Sequence, residues 1–154
     1  MSVYLSYWKP ARVDWANPGG KVLNHAASQQ YHKLKSGDRV YLLTARNDEM
    51  YLLGAITVDA IVNQVEAAAR LGRKPEDLWQ SDYHIIARNG TAKPLQLTRC
   101  EDVLRQIEFI TRNIAEAIKE PITAQRFQSM RQITPTSASI LDDALAMGDR
   151  LISP

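Results

Sequence analysis

A chain of 154 residues, 45% hydrophobic and 23% charged, fits one ordinary globular domain spanning 1–154, which excludes wholesale disorder, and no apolar run approaches the ~20 residues that cross a bilayer. The net charge of +2 hides a split: residues 1–100 carry 13 Lys/Arg against 9 Asp/Glu, and residues 101–154 carry 6 against 8. That basic excess is too small for nonspecific duplex binding, which rests on clustered phosphate contacts, but it suffices to meet one or a few nucleotides.

The opening segment lacks the basic start and long apolar centre of a secretory signal, and the single cysteine, Cys100, cannot form an internal disulfide, so a cytoplasmic location is expected. Val3 to Trp8 is aromatic-rich and reads as a strand ended by Pro10, which cannot donate to a ladder. Val13 to Gly20 contains Pro-Gly-Gly and reads as a loop carrying Trp15. From Asn24, a good N-cap, to Gly37 the spacing of Ala27, Tyr31 and Leu34 predicts a short amphipathic helix with those three facing inward. His25 and His32 then lie two turns apart on it. Arg39 to Thr44 and Met50 to Val58 read as strands joined by a hairpin loop over Ala45 to Glu49.

Ala60 to Leu71 is predicted helical in part, with a break at Gly72-Arg73-Lys74-Pro75 and a short helical turn beginning at Pro75. Tyr83 to Arg88 and Leu95 to Thr98 are strand candidates joined by Asn89-Gly90, a strong hairpin signal. From Glu101 the periodicity changes: Val103, Ile107, Ile110, Ile114 and Ile118 predict an amphipathic helix over 101–119, stopped before Pro121. Ala124 to Ile133 is a further short helix candidate, and Thr134-Pro135-Thr136-Ser137 starts a last helix with Ile140, Leu141, Leu145 and Leu151 as its apolar stripe and Asp142-Asp143 as a solvated face. The expected fold class is α+β, a small sheet curling towards a barrel over about 1–100, with flanking helices and a helical C-terminal tail over about 101–154.

Catalytic signals are weak. His25, His32 and His84 lack the i, i+4 spacing that chelates zinc, so no metal or other cofactor is expected. Gly19-Gly20-Lys21 is not a phosphate loop, because Trp15 replaces its first glycine and Val22 stands where Ser or Thr would hold magnesium. No nucleophile elbow exists, and no base is predicted beside Cys100. The tryptophans carry more information. Trp8, Trp15 and Trp79 either pack in the core and rim or form a cage for a planar base, since base stacking on aromatic faces is worth ~1–3 kcal/mol. Lys9 and Arg46, at strand ends, are placed to meet phosphates.

Three pieces together resemble the EVE domain of the PUA-like superfamily, a relative of the YTH and ASCH domains. The first is Val3-Tyr4-Leu5-Ser6-Tyr7-Trp8-Lys9-Pro10, an opening strand ending in proline. The second runs from Val22-Leu23-Asn24-His25-Ala26-Ala27 to Lys35-Ser36-Gly37-Asp38, where Val22, Asn24, Ala27, Lys35, Gly37 and Asp38 match the family pattern. The third is the strand Leu53-Gly54-Ala55-Ile56-Thr57-Val58. The resemblance covers about the first hundred residues. It implies a PUA-like β-barrel whose pocket receives a modified nucleobase and is built by Tyr7, Trp8, Lys9, Leu23, Asn24, His25, Thr44, Ala45 and Arg46. Tyr7-Trp8-Lys9 stands where the family has Lys-Ser-Glu, and Leu23 and Ser28 replace two arginines, so the groups that would read a base edge differ from the usual ones.

The resulting expectation is a non-catalytic module that reads a modified cytosine or adenine flipped from DNA or RNA, as the sensor part of a defence or restriction system. A protein-interaction or dimerisation module acting through residues 101–154 is the alternative. An enzyme acting on a nucleotide or small acid is the third reading, with no nucleophile-base pair to carry it.

Overall fold

The computed structural model describes residues 1–152, with side chains through Gly148. Its centre is β3 (Arg39–Arg46), paired in parallel with β1 (Val3–Tyr7) and antiparallel with the 14-residue β4 (Glu49–Val62). Val40 and Leu42 of β3 pack into one apolar cluster while Tyr41 and Leu43 pack into another on the opposite face. A strand covered on both faces needs apolar residues at every position, which is why Val-Tyr-Leu-Leu runs on without alternating. The β3–β4 hairpin turns on Asn47 and Asp48, both left-handed at φ 53° and 63°, and β4 runs four residues past the expected end at Val58. Such a two-residue turn matches the right-handed twist of its strands.

The remaining strands are β2 (His25–Ala27), β5 (His84–Ala87), β6 (Thr98–Arg99), β7 (Glu108–Thr111), β8 (Ile114–Ala117) and β9 (Arg131–Ile133). They extend the sheet in the order β2-β5-β4-β3-β1-β9-β7-β8, with β6 also on β4. Among the described residues three α-helices complete the fold: α1 (Gln64–Leu71), the single turn α2 (Glu101–Leu104) and α3 (Pro135–Ile152). The class is α+β, with nine strands among the described residues. The sheet ends at β2 and β8 with no pairing between them among the described residues, so a closed barrel is not shown. No helix among the described residues is long and apolar enough to cross a membrane.

Several sequence expectations are corrected here. Asn24 to Gly37 is not an α-helix: β2 pairs with β5 from His25 to Ala27, then a 3-10 turn runs over Gln29–Lys33, capped by the Ser28 hydroxyl accepting from Gln30 N–H. Ala27, Tyr31 and Leu34 are nonetheless all buried. Burial followed the spacing, but sheet pairing and the Tyr31–Ser6 hydroxyl hydrogen bond of 2.9 Å set the geometry. Gly37 does adopt φ +92°, in a turn closed by Asp38, whose carboxylate accepts the backbone N–H groups of Ser2 and Lys35.

The predicted helix over 101–119 is wrong after its first turn. Alternate inward residues Ile107 and Phe109 are buried, the segment is dense in β-branched residues, and Arg112-Asn113 forms a left-handed turn at φ 52° and 65°, so β7 and β8 make a hairpin. Ala124 to Ile133 is likewise a 3-10 turn (Ala124–Phe127) followed by β9, which pairs with β1. The "tail" is therefore not a helical appendage, since three of its segments continue the central sheet. Asn89-Gly90 makes a turn, with Gly90 at φ +81°, but the flanking segments do not pair with each other: β5 joins β2 and β4, and residues 93–95 bond to 21–23. Helix α1 starts later than expected, at Gln64, because β4 continues to Val62, and Asn63 accepts from Glu66 N–H as its cap.

The last helix forms as predicted, capped by the Thr134 hydroxyl on Ser137 N–H, with Leu141 buried and Ile140 and Leu145 packed on the core; the Leu151 side chain lies outside the described residues. Asp142 is not merely solvated. It accepts from Arg39 and from the Tyr41 hydroxyl, each at 2.7 Å, while Arg39 also bonds Thr57, so α3 is latched to β3 and β4. Because Asp142 is partly exposed, Asp142→Ala is expected to cost only about 1 kcal/mol in a denaturant melt. Asp143→Ala, on the exposed side, should cost nothing measurable.

Candidate ligand cavity

A cavity of about 570 Å³ opens between the end of β1, the segment leading into β2 and the stretch after α1. Its walls combine Trp8, Arg12, Lys21, Leu23, Asn24 and His25 with Arg73, Asp77, Leu78 and Trp79. Trp8 is placed by continuing the β1–β3 ladder: its N–H donates to Leu43 carbonyl at 2.7 Å and its carbonyl accepts the Thr44 hydroxyl at 2.8 Å. Leu23 is held by its N–H on the Lys93 carbonyl, and Gly54 makes room for it, since a Cβ there would sit 2.9 Å from Leu23 Cδ2.

Arg12 is the centre of the cavity. Its guanidinium lies 3.8 Å from the Trp79 ring centroid and 5.6 Å from that of Trp8, a cation held between two indoles. One Nη donates to the Ala27 carbonyl at 3.2 Å, but the buried Nε has no partner, and no carboxylate pairs with Arg12 among the described residues. The indole N–H of Trp8 is also buried without a hydrogen-bond partner. Burial pushes the Arg12 pKa down, opposed by Tyr31, yet a guanidinium stays charged at neutral pH.

His25 faces the same space. Its Nε2 lies 2.7 Å from Nδ1 of the buried His84, with the rings near-parallel at 12°. Burial, then the charges of His84, Arg73, Arg12 and Lys21, press the His25 pKa down to about 4. The last three are cations at neutral pH, so the field at His25 is positive.

The sequence-predicted site divides. Trp8, Leu23, Asn24, His25 and Trp79 meet in this cavity. Tyr7, Ala45 and Arg46 line a different hollow of about 480 Å³ at the β3–β4 hairpin tip. Trp15 packs edge-on against Tyr51 at 5.5 Å, with Arg46 stacked over it at 4.7 Å and its indole N–H on the Pro10 carbonyl. Thr44 is buried and acts on the cavity only through Trp8, and Lys9 is exposed. Arg12, Arg73, Asp77 and Leu78 carried no sequence signal, and Lys21 was visible only in the rejected Gly-Gly-Lys. Among the described residues no group of three or more metal-ligating side chains occurs, and burial pushes the Cys100 thiol up to about 12. Comparison with protein families, curated proteins and solved structures finds no match to this chain.

Proposed function

We propose that the protein is a non-catalytic nucleic-acid-binding module that takes a modified base into the cavity walled by Trp8, Arg12 and Trp79. The observation that carries this reading is Arg12: a half-buried guanidinium with an orphaned Nε–H, two indoles beside it and no carboxylate paired with it among the described residues. An unpaired cation in such surroundings is costly until an anion arrives. With Lys21 and Arg73 beside it, the cavity favours a ligand that is planar at one end and anionic at the other, and its volume of about 570 Å³ suits one nucleotide. The resemblance to EVE domains supplies the modified base.

Short single- and double-stranded oligonucleotides carrying methylated, hydroxymethylated or glucosylated cytosine, or methylated adenine, are the probes, read by quenching of tryptophan fluorescence. One modified member is expected to bind, and Arg12→Ala to weaken it roughly 10- to 100-fold, the worth of a charge-assisted hydrogen bond. Tyr7→Ala and Arg46→Ala, in the other hollow, should leave affinity unchanged. A flat panel, or equal loss in all three variants, would refute the assignment.

A second reading, a protein-interaction or dimerisation module, is favoured by β8, the outermost strand, whose residues Ile114–Ala117 are all exposed. A concentration-dependent mass in solution that Ile114→Lys abolishes would support it.

A further inference from the structure

The groups behind His25 determine which of its nitrogens carries the proton. Ser81 N–H donates to Gln64 Oε1 at 3.1 Å, and Gln64 Nε2 donates to the Pro75 carbonyl at 2.8 Å. A backbone amide can only donate and a carbonyl can only accept, so the orientation of the Gln64 amide is determined. His84 Nε2 lies 2.5 Å from that same Gln64 oxygen and 3.1 Å from the Ser81 carbonyl. Both are acceptors, so His84 Nε2 bears the proton. A neutral His84 then has a bare Nδ1, and His25 Nε2, 2.7 Å away, must donate to it. Neutral His25 is left with a bare Nδ1 that has no partner among the described residues.

Other side chains around the cavity seldom accept. Arg12, Lys21 and Arg73 only donate, Asn24 does both, and Asp77 alone is a pure acceptor. We infer that His25 is a specificity-determining residue, its Nδ1 held as an acceptor that selects a base presenting an exocyclic amino N–H, with His84 and Gln64 as positioning residues. The inference rests on the nucleic-acid reading above. It commits the ligand to an amino-bearing base.

The test has two arms on the intact protein. Long-range 1H–15N spectra at pH 7.5 are expected to show His25 protonated at Nε2 and bare at Nδ1; a protonated Nδ1 overturns the inference. Oligonucleotides that differ only in whether the last amino proton is replaced by a methyl group, N4-methylcytosine against N4,N4-dimethylcytosine and N6-methyladenine against N6,N6-dimethyladenine, are then titrated. The monomethyl member of one pair should bind about two- to tenfold tighter, the worth of one hydrogen bond, and His25→Phe should erase that ratio. Gln64→Glu sets a carboxylate against His84 Nε2, favours the imidazolium there, and should move the proton on to His25 Nδ1 and abolish the preference. If Gln64→Glu fails to fold, the wild-type spectrum and the His25→Phe ratio still decide. Binding without a preference, or a preference that survives His25→Phe, overturns the selectivity alone. No binding by any member, with Nδ1 bare, overturns the nucleic-acid reading and the selectivity with it.

Discussion

Phe109→Ala is expected to destabilise the protein by about 3–5 kcal/mol in denaturant melts, the range for removing a fully buried aromatic ring. Phe109 lies in β7 at 1% exposure, 5.9 Å from the Phe127 ring and under the Arg131 guanidinium at 4.2 Å. It packs in the cluster that holds Val3, Leu5, Tyr41 and Leu52, so the cost falls on the central sheet rather than on a peripheral unit. For the same reason a fragment ending near residue 100 should not fold: it would lose β9 beside β1, and Val3, Leu5, Tyr41 and Leu52 would face water. A cooperative melt of such a fragment, or a Phe109→Ala cost below about 1 kcal/mol, would show that the first hundred residues stand alone. Deletion of 101–154 is consequently not a clean test of a partner surface, whereas Ile114→Lys on the exposed β8 is.

The second large effect is acid sensitivity. The His25 pKa is lowered from its ordinary value to about 4, and that of the buried His84 is lowered too, in each case chiefly by burial. Between pH ~6.5, where an unfolded histidine titrates, and pH ~4, the unfolded chain binds the extra proton, so stability rises with pH through this window. The contribution is fully present above pH ~6.5 and is lost as pH falls towards 4, amounting to about 3 kcal/mol for a shift of this size. Carboxylates titrate in the lower part of that range as well, so the comparison is with His25→Gln, which should flatten the slope of stability against pH between 6.5 and 5. An unchanged slope in that variant would place the acid sensitivity elsewhere.

Three sequence signals fall at the cavity, and two of them have a path fixed by local chemistry. Trp8 follows a strand whose end is marked by Pro10, and Leu23-Asn24-His25 falls in the matched segment, so both were locatable from local chemistry. Trp79 was visible as an aromatic in an inserted segment but had no predictable path. Arg12 differs from the other surface-type arginines only by what surrounds it: the two indoles that flank it lie four and 67 positions away in sequence, and only chain folding brings the second one to it. His84 shows the same limit. Its role depends on Gln64, Ser81 and His25, which lie on α1, a loop and β2.

Patterns carried by adjacent residues were enough for the sequence alone to determine β1, the β3–β4 hairpin, the Pro75 turn, the cap and stripe of the last helix, and the burial of Ala27, Tyr31 and Leu34. Those depend on local dihedral preference and on how much apolar surface each residue must hide, both of which are written residue by residue. Whether Ile107, Ile110 and Ile114 become helix or hairpin is a different matter, because the same apolar spacing serves either. The choice fell to β9, which offers β7 an open ladder of backbone hydrogen bonds, pairing Phe109 with Ile133 and Ile110 with Gln132, and to β1, which anchors β9. Long-range pairing likewise turned the expected helix at Asn24 into β2, left the sheet with two ends, and set Arg12 beside two tryptophans with no paired carboxylate among the described residues, because each of those outcomes is decided by partners that the local sequence does not contain.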